Sequence, residues 1–233
     1  MKTLYGSPKI EHAVSVNGAP IAGGWEEIQS PKDGTATLDT PDGTENNLKN
    51  EKGKVIDSYT EPGDSSTLVF ELVKEKGKAL PFPAKNGPIP GEHAFRVSND
   101  NDPNAPAIQI DKCTLRGRIL WSKGDALRVA YTATVLEPAE GEDVKILGVD
   151  VDKDALAFAA TADSTGQTIN AEGNGSLTAT SSEAWCTPTV SNGVVTVKVA
   201  ANETTAVRTA IVTIADGTGV GSAEIVVTQS AAA

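Results

Sequence analysis

The sequence predicts an all-β protein of two domains, and three observations carry that prediction. Short runs of β-branched and small apolar residues alternate with turn-formers along most of the chain. Glycine (22) and proline (13) are plentiful while aromatics make up only 4% of 233 residues, so Val, Ile, Ala and Leu must fill the core. The charge balance shifts near residue 140, with 16 basic and 20 acidic residues before it and 4 and 11 after it. The expected layout is a β domain over residues 1–140, a linker over 141–154 within a Glu137–Lys153 stretch that starts Gly-, Pro- and acid-rich, and a β-sandwich over 155–233.

Taken in order, His12–Val16 alternates and is closed by Asn17-Gly18, a strong two-residue hairpin signal. Asp33–Lys54 is polar and reads as a long exposed loop. A second hairpin is expected to pair Lys54–Thr60 with Thr67–Val73 across Glu61-Pro62-Gly63-Asp64, where Pro then Gly suits a type II turn. Lys76–Glu92 holds Pro81, Pro83, Pro88 and Pro90, which argues against regular ladder structure. A third hairpin is the clearest element. Leu115–Ser122 turns at Lys123-Gly124-Asp125 and returns as Ala126–Leu136. Leu127, Val129, Tyr131, Ala133 and Val135 share one face of the return strand; Arg128, Ala130, Thr132 and Thr134 share the other. At ~3.3 Å per residue this ribbon is roughly 30 Å long. Beyond residue 154, six runs read as strands: Ala155–Ala160, Gly166–Ala171, Gly175–Thr180, Gly193–Val199, Val207–Ala215 and Ala223–Gln229.

Composition restricts the function classes. A formal net charge of −11 disfavours binding to a phosphate backbone through counterion release. No stretch approaches the ~18 apolar residues of a membrane helix. The first ten residues lack the apolar core of a secretory signal, which sets the expectation of folding in the cytoplasm. Cys113 and Cys186 fall in different domains and are expected to be buried free thiols.

The motifs with chemical potential are incomplete. Asp150, Asp152 and Asp154 open like a calcium loop, but Ala155 stands where the sharp turn wants Gly, and Thr161 where a bidentate Glu belongs. His12 and His93 have no ligand-spaced partners and are expected at the surface or at strand ends. Asp216-Gly-Thr-Gly-Val-Gly221 lacks the Lys-Ser/Thr of a phosphate loop and reads as a hairpin turn. Trp25, Trp121 and Trp185 are sugar-stacking candidates whose ordinary fate is the core. Arg128, Thr132 and Thr134, with Arg116 and Arg118 opposite, form a polar stripe that reads either as a solvent face or as the wall of a pore or subunit seam. No nucleophile–base pair or paired carboxylates are visible, so no enzyme, cofactor or metal is expected.

Residues 155–230 resemble the BACON domain, an immunoglobulin-like β-sandwich of Bacteroidetes proteins and their phages. The likeness is carried by Leu156-Ala-Phe158, Trp185-Cys186, Val195–Val199, Ala201-Asn202, Arg208–Ile214 and the closing Ile225-Val-Val-Thr-Gln229. It implies a glycan- or mucin-binding module or a spacer, with Trp185 as the glycan contact to test. Residues 1–140 resemble a phage major tail tube protein in the order of their elements: strand pair, polar loop, hairpin, proline-rich loop and a long final hairpin ending Thr134-Val-Leu-Glu-Pro138. That resemblance implies a hexameric ring, stacked on further rings and joined to other tail proteins. The expected function is a virion tail tube subunit, assembled in the host cytoplasm, that displays a BACON domain. The alternative is a carbohydrate-binding protein of the bacterial surface, which requires a leader removed from the chain.

Overall fold

The computed structural model describes residues 6–61, 63, 65–102 and 104–232, and among these there is no helix. The strands are β1 (Pro8–Val16), β2 (Ala19–Pro20), β3 (Glu26–Glu27), β4 (Thr37–Asp39), β5 (Thr44–Lys49), β6 (Val55–Glu61), β7 (Thr67–Val73), β8 (Gly87–Asn99), β9 (Ala107–Leu120) and β10 (Arg128–Val135). There follow β11 (Lys145–Leu147), β12 (Val149–Val151), β13 (Ala155–Phe158), β14 (Asp163–Gly173), β15 (Thr178–Ser181), β16 (Cys186–Ser191), β17 (Val194–Val199), β18 (Arg208–Ala215) and β19 (Ala223–Gln229). The protein is all-β, as the alternation requires. It divides into two compact units that are discontinuous in sequence. An N-terminal unit comprises Pro8–Val97 and Gln109–Lys145; a C-terminal unit comprises residues 146–232 together with 98–108 and 6–7.

The N-terminal unit is built on a nine-stranded sheet in the order β2-β1-β8-β9-β10-β7-β4, with β3 beside β1 and β11 beside β9. The Asn17-Gly18 turn joins β1 to β2, and both residues take positive φ (54° and 82°), as the type I′ geometry demands. The β9–β10 hairpin runs in antiparallel register from Arg128↔Leu120 to Val135↔Cys113. Its buried stripe of Val129, Tyr131, Ala133 and Val135 meets Leu68, Phe70 and Leu72 of β7. Phe70, Phe82, Phe95 and Tyr131 form one aromatic cluster with ring centroids 5.3–5.9 Å apart. Phe82 comes from the irregular chain before β8 and is held where the Tyr131 hydroxyl donates to its carbonyl oxygen at 3.1 Å. That chain can lie close because β9 has no side chain at Gly117, where a Cβ would stand 2.6 Å from the Lys85 carbonyl oxygen.

Three expectations fail here for identifiable reasons. β7 does not pair with Lys54–Thr60; it lies between β10 and β4, while β6 pairs with β5. With Leu68, Phe70 and Leu72 on one face, β7 needs a buried position, whereas every residue of β6 is exposed and its polar side chains face the equally polar β5. Within the turn proposed between them, Pro62 and Asp64 lie outside the described residues. Asp33–Lys54 is not one loop, since it holds β4 and β5. Pro88 and Pro90 do not bar a strand; they fall in the first four residues of β8, an end position that tolerates a missing donor.

The C-terminal unit contains two four-stranded sheets, β12-β14-β17-β16 and β13-β19-β18-β15. Their facing side chains, among them Leu156, Phe158, Ile169, Val195, Val197, Val212, Ile214, Ile225 and Val227, make a sandwich core without a charged residue. Each of the six expected runs overlaps a strand, the Gly175–Thr180 run only at Thr178–Thr180. Two strands of this unit were not expected: β12, which falls inside the expected 141–154 linker, and β16, which carries Pro188 and lies at a sheet edge, where proline is admissible. The 216–221 segment is the connection between β18 and β19, as expected, and is closed by the Asp216 carboxylate accepting from the Thr218 and Asn174 amides.

Candidate functional site

One end of the sandwich is closed by polar side chains. Gln229, the last residue of β19, is fully buried; its amide nitrogen donates to the Ala200 carbonyl at 2.9 Å and the Ala160 carbonyl at 3.3 Å. Its amide oxygen accepts from Arg208 Nε at 2.8 Å, and Arg208 also donates to the carbonyls of Ala200 and Ala201. The same guanidinium lies over the Trp185 ring, 4.2 Å from its centroid. Trp185 is half-buried and packs against the sandwich core. Asn202, 2% exposed, donates to the Ala206 and Ser230 carbonyls and accepts from the Thr204 amide and hydroxyl. Every buried polar atom of Gln229 and Asn202 thus has a partner, and this end of the domain reads as a stable closure.

Residues 174–230 match the BACON family model, described as "Putative binding domain, N-terminal". No curated protein matches the chain. The matched range takes in β15 to β19, so Trp185, Asn202, Arg208 and Gln229 lie inside it while Leu156–Phe158 of β13 lies before it. In the matched segment these four side chains do a structural task, and one face of Trp185 is covered by Arg208.

The remaining sequence candidates fall as follows. Among the described residues there is no group of three or more His, Cys, Asp or Glu side chains fit to hold a metal. Asp152 is turned to Asn170, accepting from its backbone amide and its side-chain nitrogen. Both cysteines are buried free thiols, and burial pushes Cys113 up to about 12 and raises Cys186. Trp25 is stacked by the Arg96 guanidinium at 4.4 Å, at the end of a row that continues through Gln109 and Asp111 to Lys145.

The histidines are where sequence reasoning missed most. They are not surface groups. His12 Nε2 and His93 Nδ1 lie 3.0 Å apart and share a hydrogen bond, although 81 residues separate them. Phe82 and Phe95 pack around them, and His93 Nε2 is buried without a hydrogen-bond partner among the described residues. Burial, with His93 as a second cause, lowers His12 to about 4; burial also lowers His93, against the opposing pull of the Pro90 and Ile89 carbonyls. Both rings are therefore neutral at pH 7. Only a correct pairing of β1 with β8 could have revealed the contact.

Two hairpins of the N-terminal unit leave apolar side chains exposed. The apolar stripe of the β9–β10 hairpin continues past its core: Ile119, Trp121 and Leu127 extend the Leu115–Gly117 and Val129–Tyr131 faces yet are exposed, Trp121 by 72%. The β5–β6 hairpin is a two-stranded arm with Leu48, Val55 and Tyr59 exposed, closed at Asn50, whose side chain accepts from the Lys52 and Lys54 amides.

Proposed function

We propose that the chain is a structural subunit that assembles with copies of itself, of the phage tail tube type, and that its BACON segment is an accessory binding module. The observation that carries this reading is the apolar stripe of the β9–β10 hairpin running beyond its own core. A strand pair that leaves Ile119, Trp121 and Leu127 in water costs apolar burial unless another surface covers them. The β5–β6 arm adds a second argument, because an isolated two-stranded hairpin is marginal in water and gains stability when docked. The partner is a second copy, closing head-to-tail into a ring, which tail tube subunits do as hexamers; other tail proteins would then join the ends. The virion tail, put together in the host cytoplasm, is the corresponding location. No catalytic residue, cofactor, metal, membrane or nucleic-acid contact enters the proposal.

The test is direct. Purified protein is concentrated, its mass distribution followed by sedimentation velocity, and its particles imaged by negative-stain electron microscopy. Rings or tubes are expected. A monomer at every concentration, with and without a tail initiation complex, overturns the reading.

A second reading has one observation in its favour, the description of the BACON family as a binding domain. On that reading the protein is a carbohydrate-binding surface protein. The Trp185 ring offers a sugar at most one free face, since Arg208 covers the other. A glycan array probed with the intact protein, a Trp185→Phe variant and a Trp121→Ala variant separates the cases. Binding weakened by the Trp185 change alone, in a protein that still folds, supports the second reading.

A further inference from the structure

On the β9–β10 hairpin, Arg116 and Arg118 stand on the face opposite the aromatic cluster, beside Thr132 and Thr134 of the paired strand. Both arginines are exposed, and among the described residues neither makes an ion pair or a hydrogen bond. That sets them apart from the other three arginines. Arg96 holds Gln109 and Trp25, Arg128 holds Glu71 and Asp125, and Arg208 holds Gln229 and two carbonyls. In a chain with net charge −11 two neighbouring uncommitted guanidinium groups are unexpected, because acidic side chains outnumber basic ones and would satisfy them. They line a concavity with Asn86, Thr132 and Thr134. The same unit carries a second concavity of opposite sign, lined by Glu137, Glu142 and Asp143 in the turn after β10. These acids, with Glu140, are exposed and unpaired among the described residues.

We infer that the Arg116/Arg118 face of one copy receives the acidic 137–143 turn of the next copy, so that the seam between subunits is electrostatic and directional. The inference rests on the self-assembly reading and gives it a register. A carboxylate-bearing turn suits arginine because the planar guanidinium donates two parallel N–H bonds to the two carboxylate oxygens at once. Placing the two signs at separate positions on one chain makes the contact heterologous, which closes rings or extends filaments.

The experiment uses the full chain in three forms: wild type, R116E/R118E, and E140K/E142K/D143K. Circular dichroism and thermal midpoints establish that each form folds. Sedimentation velocity and electron microscopy then measure assembly, alone and in equal mixture. Each variant alone is expected to need at least tenfold more protein to assemble than wild type. Their mixture is expected to recover association, because each altered face then meets an opposite charge on the other variant. Raising salt from about 0.05 to 0.5 M is expected to weaken wild-type assembly. Variants that assemble like wild type, or a mixture no better than its components, overturn the seam while leaving self-assembly standing. A wild type that never assembles overturns both.

Discussion

Gln229 and Asn202 show how single polar side chains can decide a domain's stability. Replacing Gln229 by Leu leaves Arg208 Nε without its acceptor, and Asn202→Ala leaves the Ser230 carbonyl without its donor and the Thr204 amide without its acceptor. Each change is expected to destabilise the C-terminal unit by about 1–3 kcal/mol in urea titration, the range for an unmet buried polar group. Loss of less than a few tenths would show that water reaches this end freely. The histidine pair supplies a second test. An imidazole whose folded pKa lies below its unfolded value of about 6.5 binds its proton more readily when unfolded, so protonation opposes folding. The neutral pair's contribution is complete above about pH 6.5 and is lost as pH falls toward about 4. Charged neighbours in sequence or register are Glu11, Glu26 opposite His12, and the Glu92–Lys112 pair. The denaturation midpoint of the N-terminal unit should therefore drop between those pH values, and His12→Asn should flatten the slope. An unchanged slope in that variant would count against the pairing. The letters of the closure (Trp185, Asn202, Arg208, Gln229) stood out in the sequence, but their mutual bonds did not, since bonds across 20 to 70 residues have no periodicity to betray them.

The β5–β6 arm and the β9–β10 ribbon differ in how far their sequence announces them. A period-two pattern with Val129, Tyr131, Ala133 and Val135 on one face and Arg128, Thr132 and Thr134 on the other favours a strand, and β10 was legible for that reason. β5 and β6 carry no buried face, so pairing preference rested on turn chemistry alone, and the turn at Pro62-Gly63 suggested the wrong partner for β6. The arm's exposure has a measurable consequence. Backbone amides of residues 44–61 should exchange with deuterium far faster than those of β7, β9 or β10 in the monomer, and should slow on assembly. Replacing 44–61 by a short Gly-Ser link should change the stability of the unit by less than about 0.5 kcal/mol. A large loss would mean that the arm packs against its own molecule. Gly117 makes the opposite prediction. Alanine there places a Cβ against the Lys85 carbonyl and should cost about 1–3 kcal/mol, with the Tyr131–Phe82 hydrogen bond weakened as the crossing chain lifts.

At the scale of the molecule, charge dominates. With net charge −11 and a sequence pI near 4.7, the protein should leave duplex DNA unshifted in an electrophoretic assay at about 0.15 M salt. A clear shift would mean that the Arg116/Arg118 face outweighs the acidic surroundings. The fold class and the strands of the C-terminal unit were readable because strand length, turn spacing and alternation agree there. The compact units were less so: residues 98–108 cluster with the C-terminal unit although the charge boundary lies some forty residues later, because composition records the local chain and not its neighbours in space.

The last strand of the sandwich, β19, lies between β13 and β18, and its pairing with β13 is parallel, from Ala155↔Val226 to Phe158↔Gln229. A ribosome that has released the chain as far as Ala215 therefore presents two edges, almost sixty residues apart in order of synthesis, both waiting for the same missing piece. The sheet closes only once β19 has been made, and a chain cut short before it is an open sheet exposed to any neighbour with a strand to lend.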